Sequence, residues 1–192
     1  MDILNKIKQE IITYRDNTIT QLQQLDIDAL ATMIRLLEEA KNRHAQIFIM
    51  GNGGSGATAS HMCCDFNKGL SYQYPIKYRM HCLNDNIPTI LAYANDVGYD
   101  AVFVEQIKNF LKKEDLVIGI SGSGNSPNVI KALQYANKLE ATTLGISGYN
   151  GGKLKDIAQY NVHISCNDMQ HVEDIHTFCT HMAMRVLHTL HI

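Results

Sequence analysis

Gly51-Asn52-Gly53-Gly54-Ser55-Gly56 follows the apolar run of residues 46–50, and Ser121-Gly122-Ser123-Gly124-Asn125-Ser126-Pro127 follows the apolar run 116–120. Each run is short enough for a buried strand, and each loop leads into a segment whose apolar residues recur at helical spacing. A Gly/Ser loop at a strand-to-helix junction presents backbone N–H groups and the positive end of a helix dipole to an anion. Two such junctions in one sheet predict a ligand with a phosphate at one end and hydroxyls at the other.

The rest of the chain supports such a sheet. Further short apolar runs at 78–83, 142–147 and 160–165 bring the predicted strands to five. Helical patterns at 57–67, 101–111 and 128–139, and a last helix over about 170–190, lie between and after them. This alternation predicts an α/β fold: a doubly wound, five-stranded parallel sheet flanked by helices, in a single domain over 1–192. In such sheets ligands bind outside the carboxyl ends of the strands, where both Gly/Ser loops fall. Ahead of the sheet, Ile3, Ile7, Ile11, Thr18 and Leu22, then Leu30, Met33, Ile34 and Leu37, mark two helices within residues 1–43. Asp26-Ile27-Asp28 separates them and offers an aspartate cap. This pair is not needed to complete the sheet; it either folds onto that sheet or packs against a second subunit.

Composition narrows the function classes. The 192 residues carry a formal charge of −2 and no Lys/Arg-rich run, so nucleic acid is not an expected partner. No apolar stretch approaches the ~18–20 residues that span a bilayer. Met1-Asp2-Ile3-Leu4-Asn5-Lys6 has no hydrophobic signal core, so a cytoplasmic location without a membrane is expected. The five cysteines, Cys63, Cys64, Cys82, Cys166 and Cys179, form no CxxC pair, which speaks against a zinc finger or a redox motif.

Gly51, Gly53 and Gly56 also spell G-x-G-x-x-G, the dinucleotide fingerprint. The next acidic residue placed to bind a ribose is Asp85, beyond the usual spacing of about 20 residues. A dinucleotide fold also has no use for the second loop. That loop is the more specific of the two: Ser121, Ser123 and Ser126 offer three hydroxyls, and Ser126-Pro127 reads as an N-cap with proline at the first helical position.

Gly51-Asn52-Gly53-Gly54-Ser55, Tyr93-Ala94-Asn95-Asp96 and Ser121-Gly122-Ser123-Gly124-Asn125-Ser126, in this order, resemble the sugar isomerase (SIS) domain, and within it the phosphoheptose isomerases. The likeness extends over essentially the whole chain. It implies an aldose–ketose isomerase acting on a sugar phosphate, most naturally sedoheptulose 7-phosphate, for surface polysaccharide synthesis. It also implies a cytoplasmic homotetramer. By the same resemblance Asn52, Gly53, Gly54, Ser55, Asn95 and Asp96 hold the sugar. Ser121, Gly122, Ser123 and Ser126 hold the phosphate, with Gly122 standing where the family has Thr.

His61 and Asp65 share a helix face at i, i+4, and Glu173 and His181 lie within about 80° on the last helix. The family carries His, Glu, Gln and His at these places, with the Glu as base, the last His as its partner, and zinc able to occupy the set. Asp65 therefore stands for Glu and Glu173 for Gln. Asp65, His181 and Glu173 are the expected catalytic residues, and His61, Asp65, Glu173 and His181 the expected ligands of zinc or another divalent metal. The shorter Asp65 leaves a rival open: a SIS domain that binds a phosphosugar or a replication initiator without catalysis.

Overall fold

The computed structural model describes residues 2–72 and 74–190. Helices α1 (Ile3–Gln23) and α2 (Ile27–Asn42) open the chain, and the Asp26 carboxylate caps α2 by accepting the Ala29 N–H at 2.9 Å. There follow β1 (Gln46–Gly51), α3 (Gly53–Cys64) with a π-helical continuation over Asp65–Leu70, β2 (Arg79–Cys82) and α4 (Ile87–Asp96). After a 3₁₀ turn at Tyr99–Ala101 come the one-turn helix α5 (Val104–Ile107), β3 (Leu116–Ser121) and α6 (Pro127–Lys138). The chain ends with β4 (Thr142–Ser147), α7 (Gly152–Ile157), β5 (Tyr160–His163) and α8 (Met169–Leu190).

The five strands form one all-parallel sheet in the order β2-β1-β3-β4-β5. Alternate residues of β1 serve two cores. Ile47 and Ile49 join a cluster with α2, α3 and α8, whereas Phe48 and Met50 join one with α5 and α6. Cover on both faces is why each central strand reads as an unbroken apolar run. The chain leaves β1 for β2 on one side and returns past it to β3 on the other. That reversal opens a crevice at the carboxyl ends of β1 and β3, where Gly51 lies opposite Ile120. Both Gly/Ser loops line it.

The structure differs from the sequence expectation mainly between β2 and β3. Residues 101–111 form only the single turn α5. The run Ala101-Val102-Phe103-Val104 is buried on all sides rather than on one stripe, and its β-branched residues disfavour a helix. Two further elements not expected are α4 and α7: Leu154 of α7 is buried in the second cluster, and Ile90, Tyr93 and Ala94 of α4 pack partly buried against it. The N-terminal pair divides in its packing: α2 buries Leu30, Met33, Leu36 and Leu37 against the sheet, whereas α1 buries no residue. Along α1, Ile3, Ile7, Ile11 and Ile19 are exposed, as are Ile87 and Leu91 on α4, which also buries none.

Behind the crevice, α8 buries His176, and neither ring nitrogen has a partner in hydrogen-bond geometry among the described residues. Burial pushes its pKa down to about 4; the nearby Ser147 backbone opposes this and His163 adds to it. Between the ordinary pKa of 6.5 and about 4, the unfolded chain binds a proton that the native state refuses. Stability contributed by neutral His176 is therefore present above that window and is lost as pH falls through it. At 1.36 kcal/mol per pKa unit the loss is about 3 kcal/mol. Urea unfolding at pH 7 and pH 4.5 should show wild type losing roughly 2–3 kcal/mol more than His176→Leu. Equal acid sensitivity of the two proteins would contradict this.

Candidate active site

The second loop keeps its hydroxyls free of the helix. Ser126 is the N-cap of α6 and Pro127 its first residue, yet the Ser126 side chain makes no cap bond. Its Oγ instead faces the Ser121 Oγ at 3.0 Å across the loop. The Ser123 Oγ accepts the Asn125 N–H at 3.2 Å. A Cβ on Gly122 would lie 2.5 Å from the Met169 Sδ of α8, so a side chain there would need the end of that methionine to shift. Where the resembling family has threonine, glycine lets Met169 pack close, and at this position the chain offers a ligand only its backbone.

The first loop is the start of α3: Asn52 is the N-cap and Gly53, Gly54 and Ser55 form the first turn. A Cβ on Gly54 would lie 2.5 Å from Cδ and Oε1 of Glu173. Glycine is thus what lets the Glu173 carboxylate lie against the loop. One turn further along α3, the Thr58 and Thr177 hydroxyls meet at 3.0 Å. Beyond them the Nε2 atoms of His61 and His181 approach to 2.8 Å, rings edge-on at 75°. These three contacts, Gly54 with Glu173, Thr58 with Thr177 and His61 with His181, define a parallel α3–α8 seam running away from the crevice.

Asp65, the first residue of the π-helical turn, sends its Oδ2 to 3.6 Å from His61 Nε2 and 3.7 Å from His181 Nε2. Such π-helical insertions are frequent at functional sites. The structure thus brings His61, Asp65 and His181 within 4.8 Å of one another, and Glu173 is not in that group. About 10 Å of helix axis separates Gly54, where the Glu173 carboxylate rests, from His61. The donor set fits a divalent ion: a tetrahedral site with arms of ~2.0 Å has edges of ~3.3 Å, close to the three separations seen. Both histidine side chains are half exposed, so the group opens outward.

Asn95 and Asp96 lie exposed at the end of α4, paired through Asn95 Nδ2 and Asp96 Oδ1 at 2.7 Å. The Asn52 amide, expected to touch sugar, is held by protein: it exchanges two hydrogen bonds with Asn128 and accepts the Tyr99 hydroxyl. Sequence reasoning passed over Asn128, Tyr99, Thr58 and Thr177. Only Asn128 carried a signal, a polar residue just after the Ser-Pro cap. Near this end of the seam burial raises the Cys63 pKa and pushes Cys82 to about 12, whereas the Cys64 thiol, next to Asp65, is exposed.

The SIS domain profile matches residues 12–148, most of the chain. The chain belongs to the SIS domain family. Within it, the phosphoheptose isomerase of Helicobacter pylori is 34% identical over 93% of this chain and 92% of its own length. That of Aliarcobacter butzleri is 31% identical over 94% and 95%. The solved structure of phosphoheptose isomerase GmhA from Neisseria gonorrhoeae superimposes with a TM-score of 0.88 at 22% identity, covering 95% of this chain and 99% of that one. The SIS fold is therefore shared from α1 to α8, and Asp65 and Glu173 sit inside it on the α3–α8 seam.

Proposed function

We propose that this SIS domain is an aldose–ketose isomerase acting on a sugar phosphate, converting sedoheptulose 7-phosphate to the heptose 7-phosphate used in surface polysaccharide precursors. The observation that carries this is the seam itself. Two carboxylates and two histidines line one α3–α8 interface that begins at the first Gly loop, beside the Ser-rich loop. A non-catalytic phosphosugar or initiator binder has no need of that convergence.

The hydroxyls of Ser121, Ser123 and Ser126, with the N–H groups of the loop and the α6 dipole, hold the phosphate. Gly53, Gly54, Ser55, Asn95 and Asp96 bind sugar hydroxyls, and Asn52 shapes the loop that carries the first three. Isomerisation takes a proton from the carbon beside the carbonyl and delivers one to the neighbouring carbon. Asp65 and Glu173 are the carboxylates available for this, and His181 exchanges protons at the oxygens. Asp65 is one methylene shorter than the family's Glu, and Glu173 adds a carboxylate where the family has an amide. His61, Asp65 and His181 would hold zinc or another divalent ion, with Glu173 able to contribute only by moving toward them. Such an ion, when bound, polarises a carbonyl oxygen.

The working form is a cytoplasmic homotetramer with the active site near a subunit boundary. The apolar stripe on α1, the apolar face of α4 and the half-exposed histidines support this, and no described helix is long and apolar enough to cross a membrane. Light scattering at micromolar concentration should give four chains per particle; a monomer would contradict the assembly. Incubation with sedoheptulose 7-phosphate, with and without zinc, tests the activity. An aldose signal by NMR is expected, and an unchanged ketose in both samples would leave only binding.

A further inference from the structure

The two ligand loops are tied together by a side-chain clamp. Asn52 Nδ2 donates to Asn128 Oδ1 at 2.9 Å, and Asn128 Nδ2 donates back to Asn52 Oδ1 at 2.8 Å. This reciprocal amide pair joins the N-cap of α3 to the second residue of α6 across the crevice. Asn128 is 1% exposed, and its Oδ1 also accepts the Val129 N–H at 3.0 Å. A buried amide of this kind is costly to leave unpaired, so its partners are strongly specified. The Tyr99 hydroxyl, at 3.0 Å from Asn52 Oδ1, brings in the segment that follows Asn95 and Asp96. All three motif-bearing segments therefore meet at the Asn52 amide.

We propose that Asn128 and Tyr99 are positioning residues: through Asn52 they fix the distance between the sugar-binding loop and the phosphate-binding loop. The backbone does not set that distance alone. Gly51 and Ile120 pair within the sheet, and beyond them the side-chain hydrogen bonds between the two loops, among the described residues, are those of this amide pair. A ligand that spans both loops feels their spacing, whereas one that occupies a single loop does not. The inference rests on the proposed phosphate and sugar sites, and it does not require turnover.

The test compares two affinities measured by calorimetry, for sedoheptulose 7-phosphate and for inorganic phosphate. In Asn128→Leu the sugar phosphate should weaken on the order of tenfold or more, with inorganic phosphate changed less than about threefold. Tyr99→Phe removes one exposed hydroxyl without touching the core. It should move the ratio in the same direction by about three- to fivefold, so the result does not depend on Asn128→Leu folding well. Equal weakening of both ligands would make Asn128 only a support of the phosphate loop and overturn the clamp. An unchanged ratio in Tyr99→Phe would remove Tyr99 from it. Failure of the isomerase assignment would show separately, as binding of sugar phosphate by wild type without conversion.

Discussion

Asp65→Asn and Glu173→Gln each lower kcat by on the order of 100-fold or more, and the double variant falls little further. A positioned acid or base contributes about 10²–10⁴-fold, and residues that act as one unit are strongly non-additive. The geometry makes each carboxylate necessary in a different way. Glu173 lies against the first loop because Gly54 has no side chain, and Asp65, one turn beyond His61 on the same helix, lies within 3.7 Å of both histidine Nε2 atoms. Asp65→Glu should partly restore Glu173→Gln, because that pair recreates the Glu and Gln of the resembling family. Steady-state kinetics of the wild type and these four variants checks this. Additive losses would mean that the two carboxylates serve unrelated steps, and a fully active Glu173→Gln would leave Asp65 as the only base.

Ser121→Ala combined with Ser126→Ala raises KM for the phosphorylated substrate on the order of 100-fold. Their hydroxyls face each other at 3.0 Å, and each hydrogen bond to a charged phosphate is worth about 1.5–3 kcal/mol. Ser126 makes no cap bond to α6, so its loss should cost the fold little and the effect should fall on binding. Each single variant should lose far less than the pair, since backbone N–H groups and the helix dipole remain. An unchanged KM in the double variant would place the phosphate elsewhere in the crevice.

The sheet and the two loops were legible because their signals are local. Residues 116–120 can be so uniformly apolar only if both faces of β3 are covered, and the alternation of Gly and Ser marks the turn that follows. What was not legible depends on which helix faces meet. Spacing on α8 places Glu173 and His181 near one face, but not at which turn each meets α3. Gly54 takes Glu173 and His61 takes His181, which divides the expected four-residue metal set into His61, Asp65 and His181 with Glu173 apart. Likewise Asn52 reads as a polar side chain free for sugar. Its engagement by Asn128 is a contact between distant segments that no local pattern announces. The same holds for Gly122, whose neighbour Met169 belongs to α8.

Isomerisation is tested most directly by incubating the protein with sedoheptulose 7-phosphate in D2O, with zinc present, and following both sugars by proton and carbon NMR. If the seam exchanges protons between neighbouring carbons, an aldose 7-phosphate accumulates with deuterium at C2, and deuterium washes back into C1 of the remaining ketose. If no aldose forms and neither sugar acquires carbon-bound deuterium while sedoheptulose 7-phosphate still binds, the chain holds the substrate without performing the chemistry, and its assignment as an isomerase is wrong.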